Sequence, residues 1–336
     1  MAGKSGRTIS ATPEKTLKKA LLSWEGMLFV LFIAVNIFCV CISPVYNLTN
    51  VLREMPKYLA EIFLLFPMAY ILLMGEIDIS VGSTVCLAAT MACLASNAGL
   101  PFIGVILVSL IVGTICGMIN GFLATAFREL PTMIITLGTQ IVFRGIAEIA
   151  LGDGGSISVT NTAGFSAIAK RVGPVPYVFF LVIICAVIFT VIAERRVFGR
   201  NLYAIGSNAK TAFYSGVKVN RMLFISYSVL GLLAGVSALF LTSATYAANT
   251  TTGKGFEMDA IAMAVFGGIS TAGGKGKLVG GIISAFTITC LRVGLGQINM
   301  NPQVILIILG ALLICAVLLP NISQSISDKK KKASRA

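Results

Sequence analysis

The chain has 336 residues, 57% apolar and only 12% charged, with 26 basic against 13 acidic side chains and a mean hydropathy of +0.92. A soluble domain carries about 25% charged residues, so this composition cannot cover a water-facing surface and marks an integral membrane protein. Histidine is absent, which excludes Ser-His-Asp and Cys-His nucleophile chemistry, histidine-ligated metal and histidine-held haem.

Residues 1–25 are polar and basic, and no small-residue cleavage site follows the first apolar run, so a retained cytoplasmic segment is expected rather than a signal peptide. At about 20 apolar residues per crossing, ten spans are predicted, at 26–43, 58–74, 79–98, 102–126, 132–151, 176–194, 222–242, 258–272, 278–296 and 302–319. The expected fold is therefore all-α and polytopic, a transmembrane domain over 26–319 followed by a basic tail, 320–336. The span at 258–272 reaches only ~22 Å at 1.5 Å per residue. Either the approach through Gly253 and Gly255 lengthens it, or it is broken and lines a cavity.

Between the second and third spans lies Met74-Gly75-Glu76-Ile77-Asp78-Ile79-Ser80-Val81-Gly82-Ser83. Glycine lets the chain leave helical geometry. Asp78 or Ser80 can accept orphan N–H groups at the start of the next helix; alternatively, a broken helix exposes Glu76, Asp78, Ser80 and Ser83 along a passage for polar solute. Further on, Asn120, Thr136, Thr139 and Gln140 are polar groups at membrane depth, serving inter-helix hydrogen bonds or the same passage. Arg144 stands four residues before Glu148, so the pair can neutralise itself, unless Arg144 snorkels to the interface. Arg292, near the end of its span, is expected to snorkel.

The longest basic loop, 195–221, holds Gly199, Arg200 and Asn201, then a short helix between Asn208 as N-cap and Gly216 as C′ residue, with Ala209, Ala212 and Ser215 inside. Such a helix suits docking to a cytoplasmic partner, or rests on headgroups through Phe213 and Tyr214. The stretch Gly253–Gly281 is glycine-rich but is no phosphate loop, because Ile269 and Gly276 stand where a glycine and a hydroxyl residue are needed. Close helix packing through small residues accounts for it better. Asp259 opens this stretch, either capping the helix or meeting solute. All eight cysteines lie in apolar runs without a CxxC pair, so neither a disulfide nor a metal framework is expected.

With the N-terminus in the cytoplasm, 19 basic residues fall on the inner side and 5 on the outer, the remaining two being Arg144 and Arg292 within spans. That bias follows the positive-inside rule and puts both termini inside. The tail Lys329–Lys332 fits anionic membrane lipid or simply fixes topology. No nucleic-acid partner is expected, since the charge is scattered over short loops.

Several of these segments match a known family. Gly75-Glu76-Ile77-Asp78-Ile79-Ser80-Val81-Gly82-Ser83, then Pro131-Thr132-Met133-Ile134-Ile135-Thr136-Leu137-Gly138-Thr139 with Arg144-Gly145, resemble signatures of ABC-transporter permeases of the ribose, xylose and galactose import class, which also includes autoinducer-2 permeases. Gly199-Arg200-Asn201 through Gly206 to Ser215-Gly216-Val217 is similar to that family's cytoplasmic loop, and Asp259-Ala260-Ile261-Ala262 with Gly267-Gly268 and Gly273-Gly274 completes the order over roughly residues 45–320. The chain departs from the pattern at Glu76, where the family usually carries a second glycine.

The resemblance implies a bacterial cytoplasmic-membrane permease subunit importing a monosaccharide or similar polyol. It would pair with a second permease, its own copy or a paralogue, with cytoplasmic ABC ATPase subunits and with an extracytoplasmic solute-binding protein. The chain would bind no cofactor itself, ATP residing on the ATPase, whose closure moves the 200–217 loop and switches the permease between outward- and inward-open states. The alternative is an ion-coupled secondary carrier, which needs an embedded carboxylate cluster as its ion site.

Overall fold

The computed structural model describes residues 23–312 and 314. Most of the 1–25 segment, all of the 320–336 tail and the end of the expected 302–319 span lie outside these residues. Helix α1, Trp24–Ile42, starts at Ser23, whose hydroxyl accepts from the Gly26 N–H at 3.2 Å. A short α2, Leu48–Glu54, follows. Then comes α3, Pro56–Leu73, with proline at its first position, where a missing N–H costs nothing. Next are α4, Val81–Asn97, α5, Phe102–Ala126, and α6, Thr132–Leu151.

After a strand β1, Ser156–Ser158, come a short α7, Ala163–Ile168, the hairpin β2–β3, Arg171–Val172 and Val175–Pro176, and α8, Tyr177–Arg195. Two short helices, α9, Val197–Ser207, and α10, Ala209–Tyr214, lead into the long α11, Val219–Thr245. Strand β4, Ala247–Asn249, pairs antiparallel with β1, Ala248 opposite Ile157. The described chain ends with α12, Phe256–Phe266, α13, Leu278–Gln297, and α14, Pro302–Leu312.

Among the described residues, seven helices are long and apolar enough to cross a bilayer, namely α1, α3, α5, α6, α8, α11 and α13. The expected span at 79–98 is the 17-residue α4. The expected span at 258–272 does not form. In its place α12 has 11 residues, ~16 Å at 1.5 Å per residue, and is entered through β4 and a run of turns over 250–255. Gly253 and Gly255 turn that segment into the helix with φ of 68° and 90°, a backbone that costs other residues strain.

Helix α3 is central, with 83% of its apolar window buried, whereas α1 buries 17%, α8 22%, and α5 and α6 28% each. The outer helices therefore turn continuous apolar faces away from the protein, toward lipid or a second chain. Lipid is as apolar as leucine, so helices associate by close backbone approach. Along α5, Gly113 and Gly117 lie against Gly231 and Gly235 of α11 so closely that a Cβ at Gly113 would strike the Gly231 carbonyl, and one at Gly231 the Gly113 carbonyl. Ser109 adds a hydrogen bond to the Gly235 carbonyl at 2.9 Å. Gly267 meets Gly280 and Gly281 of α13 in the same way, so small-residue packing accounts for these three glycines of the glycine-rich stretch, whereas Gly253, Gly255, Gly268, Gly273, Gly274 and Gly276 have positive φ and make its turns.

Candidate functional site

The junction 74–80 leaves the helix through Gly75, with φ of 81°, is non-helical over 76–79, and packs on α5, α6 and α11 with Met74 and Asp78 to Ser80 buried, a placement that lets non-helical chain sit at membrane depth. Its N–H groups are met by side chains: Ile79 N donates to Thr136 Oγ1 at 3.1 Å and Ile77 N to Thr132 Oγ1 at 3.4 Å, while the Tyr227 hydroxyl donates to the Ile77 carbonyl at 3.3 Å. Thr132 in turn donates to Glu76 Oε2 at 2.6 Å. Asp78, 2% exposed, accepts from the Ser80 N–H and hydroxyl, both at 2.7 Å, and from Asn120 Nδ2 at 3.3 Å. Asn120 also donates to Ser80 Oγ at 2.6 Å. Asp78 thus orders the turn into α4, while Ser80, the N-cap, makes no side-chain bond into that helix.

Glu76, Asp78, Ser80, Asn120 and Thr136 therefore form one cluster. Thr139 is buried beside it and donates to the Thr136 carbonyl at 3.2 Å. Gln140, one turn beyond Thr136, is half-buried and outside the cluster's hydrogen bonds. Ser83 is fully buried, and its hydroxyl has no hydrogen-bond partner among the described residues, nor has Asn120 Oδ1.

The second broken segment meets the first. Asn97, at the end of α4, donates to the Ser158 carbonyl at 2.9 Å, and β1 carries β4 beside it. From there the chain runs back along α4: the Asn249 carbonyl accepts from Cys86 Sγ at 3.6 Å, and Gly253 packs on Gly82, where a Cβ on Gly82 would strike both the Gly253 carbonyl and Glu257 Oε2. Asn97 and Gly82 are ~22 Å apart along the helix. The N-terminal ends of α4 and α12 thus meet inside the bundle, with positive helix-dipole ends converging on the buried Glu257, whose Oε2 has no partner among the described residues. Arg144 serves this segment: Nη1 donates to the Thr250 and Thr252 carbonyls at 3.2 and 2.8 Å. It does not pair with Glu148, which is exposed, because these carbonyls lie within its reach.

Asp259 belongs to a separate site. Arg292 donates from Nη1 to Glu61 Oε2 and from Nη2 to Asp259 Oδ1, each at 2.6 Å, and its side chain is 8% exposed. Snorkelling is therefore overturned: two carboxylates from α3 and α12 hold the guanidinium inside. Glu61 was not legible as its partner, being 231 positions away; the available signal was that a charge in a span needs a counter-charge.

At the opposite end, Asn208 caps α10, accepting from Thr211 N at 2.9 Å, and Gly216 closes it with φ of 86°, as the sequence predicts. Val217 N reaches back to the Ala212 carbonyl at 3.0 Å, a Schellman closure. Ala212 is buried, whereas Ala209 and Ser215 are exposed, and Phe213 and Tyr214 are 64% and 86% exposed. The loop also carries the unforeseen α9. There Gly199 lies on the Ala193 carbonyl, Arg200 is exposed and Asn201 half-buried. Gly206 presses on the Leu73 carbonyl and Gly274 N, which are themselves bonded at 2.8 Å, and Tyr203 donates to the Gly276 carbonyl at 2.9 Å. Helix α9 thus touches the end of α3 and the turns just beyond α12.

Over residues 58–317 the chain matches a family model described as branched-chain amino acid transport system / permease component. It is 35% identical over 310 residues to the ribose import permease protein of Bacillus subtilis, covering 91% of this chain and 92% of that one. It is 33% identical to the D-allose transport system permease protein of Escherichia coli, covering 94% and 98%. It is also 32% identical to the autoinducer 2 import system permease protein of Photorhabdus temperata, covering 89% and 92%. No solved structure matches the chain.

Proposed function

Since this chain belongs to the permease-component family of these transport systems, we propose that the two broken segments line a route for a neutral monosaccharide or similar polyol. The protein itself is a multi-pass cytoplasmic-membrane permease subunit of an ABC importer for sugar-like solutes; it is not an enzyme, and its ATPase is a separate subunit. The observation that carries the route is the meeting of α4 and α12 at Gly82 and Gly253. Irregular backbone at membrane depth is tolerated where it is buried in protein or lines a cavity, and Asp78, Ser80, Ser83 and Asn120 supply both donors and acceptors beside it.

The remaining assembly is part of the same proposal. The α9–α10 end faces the cytoplasm, where Arg128, the six basic residues of 195–221, Lys275 and Lys277 gather. The open groove of about 510 Å³ beside Phe213, Tyr214 and Arg128 receives the ABC ATPase, which alone holds ATP. The opposite end receives a solute-binding protein, and the apolar faces of the outer helices accommodate lipid and a second permease, its own copy or a paralogue.

Reconstitution with the ATPase and binding protein tests this reading. ATP-dependent accumulation of labelled D-ribose or D-allose in proteoliposomes is expected. Accumulation driven by an ion gradient through this chain alone would overturn it.

A further inference from the structure

The Glu61–Arg292–Asp259 triad forms the floor of an open cavity of about 1070 Å³ at the end opposite α9–α10, bounded by α2, α3, α12, α13 and residues 299–302. We infer that this vestibule is a solute-binding site within a single subunit, selective for neutral polyhydroxylated molecules of monosaccharide size and separate from the Asp78 cluster. The inference rests on the permease reading for its biological sense, but its geometry stands independently.

Holding three charges at membrane depth is costly, and apolar groups of similar volume commonly replace such ion clusters without loss of stability. Ionisable residues inside spans therefore point to function. Here Glu61 and Arg292 are 8% exposed while a quarter of the Asp259 side chain is open, so the triad presents Asp259 to the cavity. Each of its ion pairs uses one carboxylate oxygen and one guanidinium nitrogen; a guanidinium carries five N–H donors and a carboxylate about four lone-pair sites. Acceptors and donors thus stand side by side, as vicinal hydroxyls require. Gln297 Oε1 lines the same space as a buried acceptor with no donor among the described residues. The ring of Tyr58, whose centroid lies 5.8 Å from the Arg292 guanidinium carbon, gives the site a flat apolar wall.

Net charge selects the class. The rim carries Arg53, Glu54, Lys57 and Lys254, and Glu54 and Lys57 pair with each other. Basic and acidic groups around the cavity nearly balance, so neither a cation nor an anion meets a strong field. The volume is at the upper end of ligand sites, which run about 300–1,000 Å³, as expected for an open-mouthed vestibule.

The test is thiol protection on the purified full chain in detergent. Lys254→Cys, introduced after Cys41→Ser and Cys315→Ser, is labelled with a methanethiosulfonate reagent with and without D-ribose or D-allose. At twice the dissociation constant one third of the sites remain free, so labelling is expected to slow about threefold. Asp259→Asn in that background is expected to abolish the protection while unprotected labelling continues. No protection by either sugar overturns the inference, as does protection that survives Asp259→Asn, and equal protection by gluconate overturns the neutral class. Uptake by the complete importer is measured separately: uptake without vestibule protection sinks only this site, and protection without ATP-driven uptake sinks only the permease reading.

Discussion

Removing Arg292 is the most informative perturbation of the scaffold. Its guanidinium holds Glu61 and Asp259, each at 2.6 Å, where the Glu61 side chain is 8% exposed. With charge centres ~4 Å apart and an effective dielectric of about 20, each pair gains about 4 kcal/mol. Desolvating each ion costs several kcal/mol in return, so the intact triad is near balance. Arg292→Gln removes the gain and leaves two carboxylates facing each other, a loss expected at about 3–5 kcal/mol. Adding Glu61→Gln removes one uncompensated charge and is expected to recover stability, giving a double-mutant coupling of about 1.5 kcal/mol or more. Thermal or denaturant unfolding of the detergent-solubilised protein, followed by monodisperse elution, measures the cycle. Costs that add to within about 0.5 kcal/mol would show that the two side chains do not compensate each other, and the reasoning fails.

Three further outcomes are expected. Gly117→Val, whose side chain would enter the Tyr227 carbonyl and the Gly231 backbone, is expected to abolish the folded fraction, whereas Gly138→Val, with nothing within 4 Å, changes stability by less than about 0.5 kcal/mol; detergent-extractable yield separates the two. Asn208→Pro and Gly216→Arg are expected to leave membrane insertion intact but abolish ATP-dependent uptake, because α10 loses its cap or its left-handed closure at φ 86°; normal uptake would remove α10 from the coupling role. Lys277→Met, at a pair with Glu25 in which the lysine is 61% exposed, costs less than about 1 kcal/mol. Its hydrogen bond to Glu25 raises the Lys277 pKa, so the pair's contribution is present below the ordinary lysine value of about 10.4 and fades as pH climbs through the raised one, which unfolding measured across that range checks.

Much of this protein was legible in residue order alone. Apolar runs of bilayer length marked the spans, because a helix in lipid must satisfy its own backbone and cover it with apolar side chains. Asn208 and Gly216 delimited α10 because capping is local chemistry, settled within one turn. Glu76 to Ser83 stood out because carboxylates and hydroxyls between glycines cannot continue an apolar helix.

Tertiary structure decided the long-range choices. That 258–272 would become a half-helix met by α4, that Arg144 would bind the Thr250 and Thr252 carbonyls, and that Arg292 would turn inward to Glu61 all depend on groups brought close only by packing. Snorkelling and burial differ by a few kcal/mol for an arginine in a span, and the balance tips on whether a carboxylate waits within reach. One-dimensional spacing records periodicity and charge sign; it does not record which helix stands beside which, and that neighbour relation sets where a buried charge comes to rest.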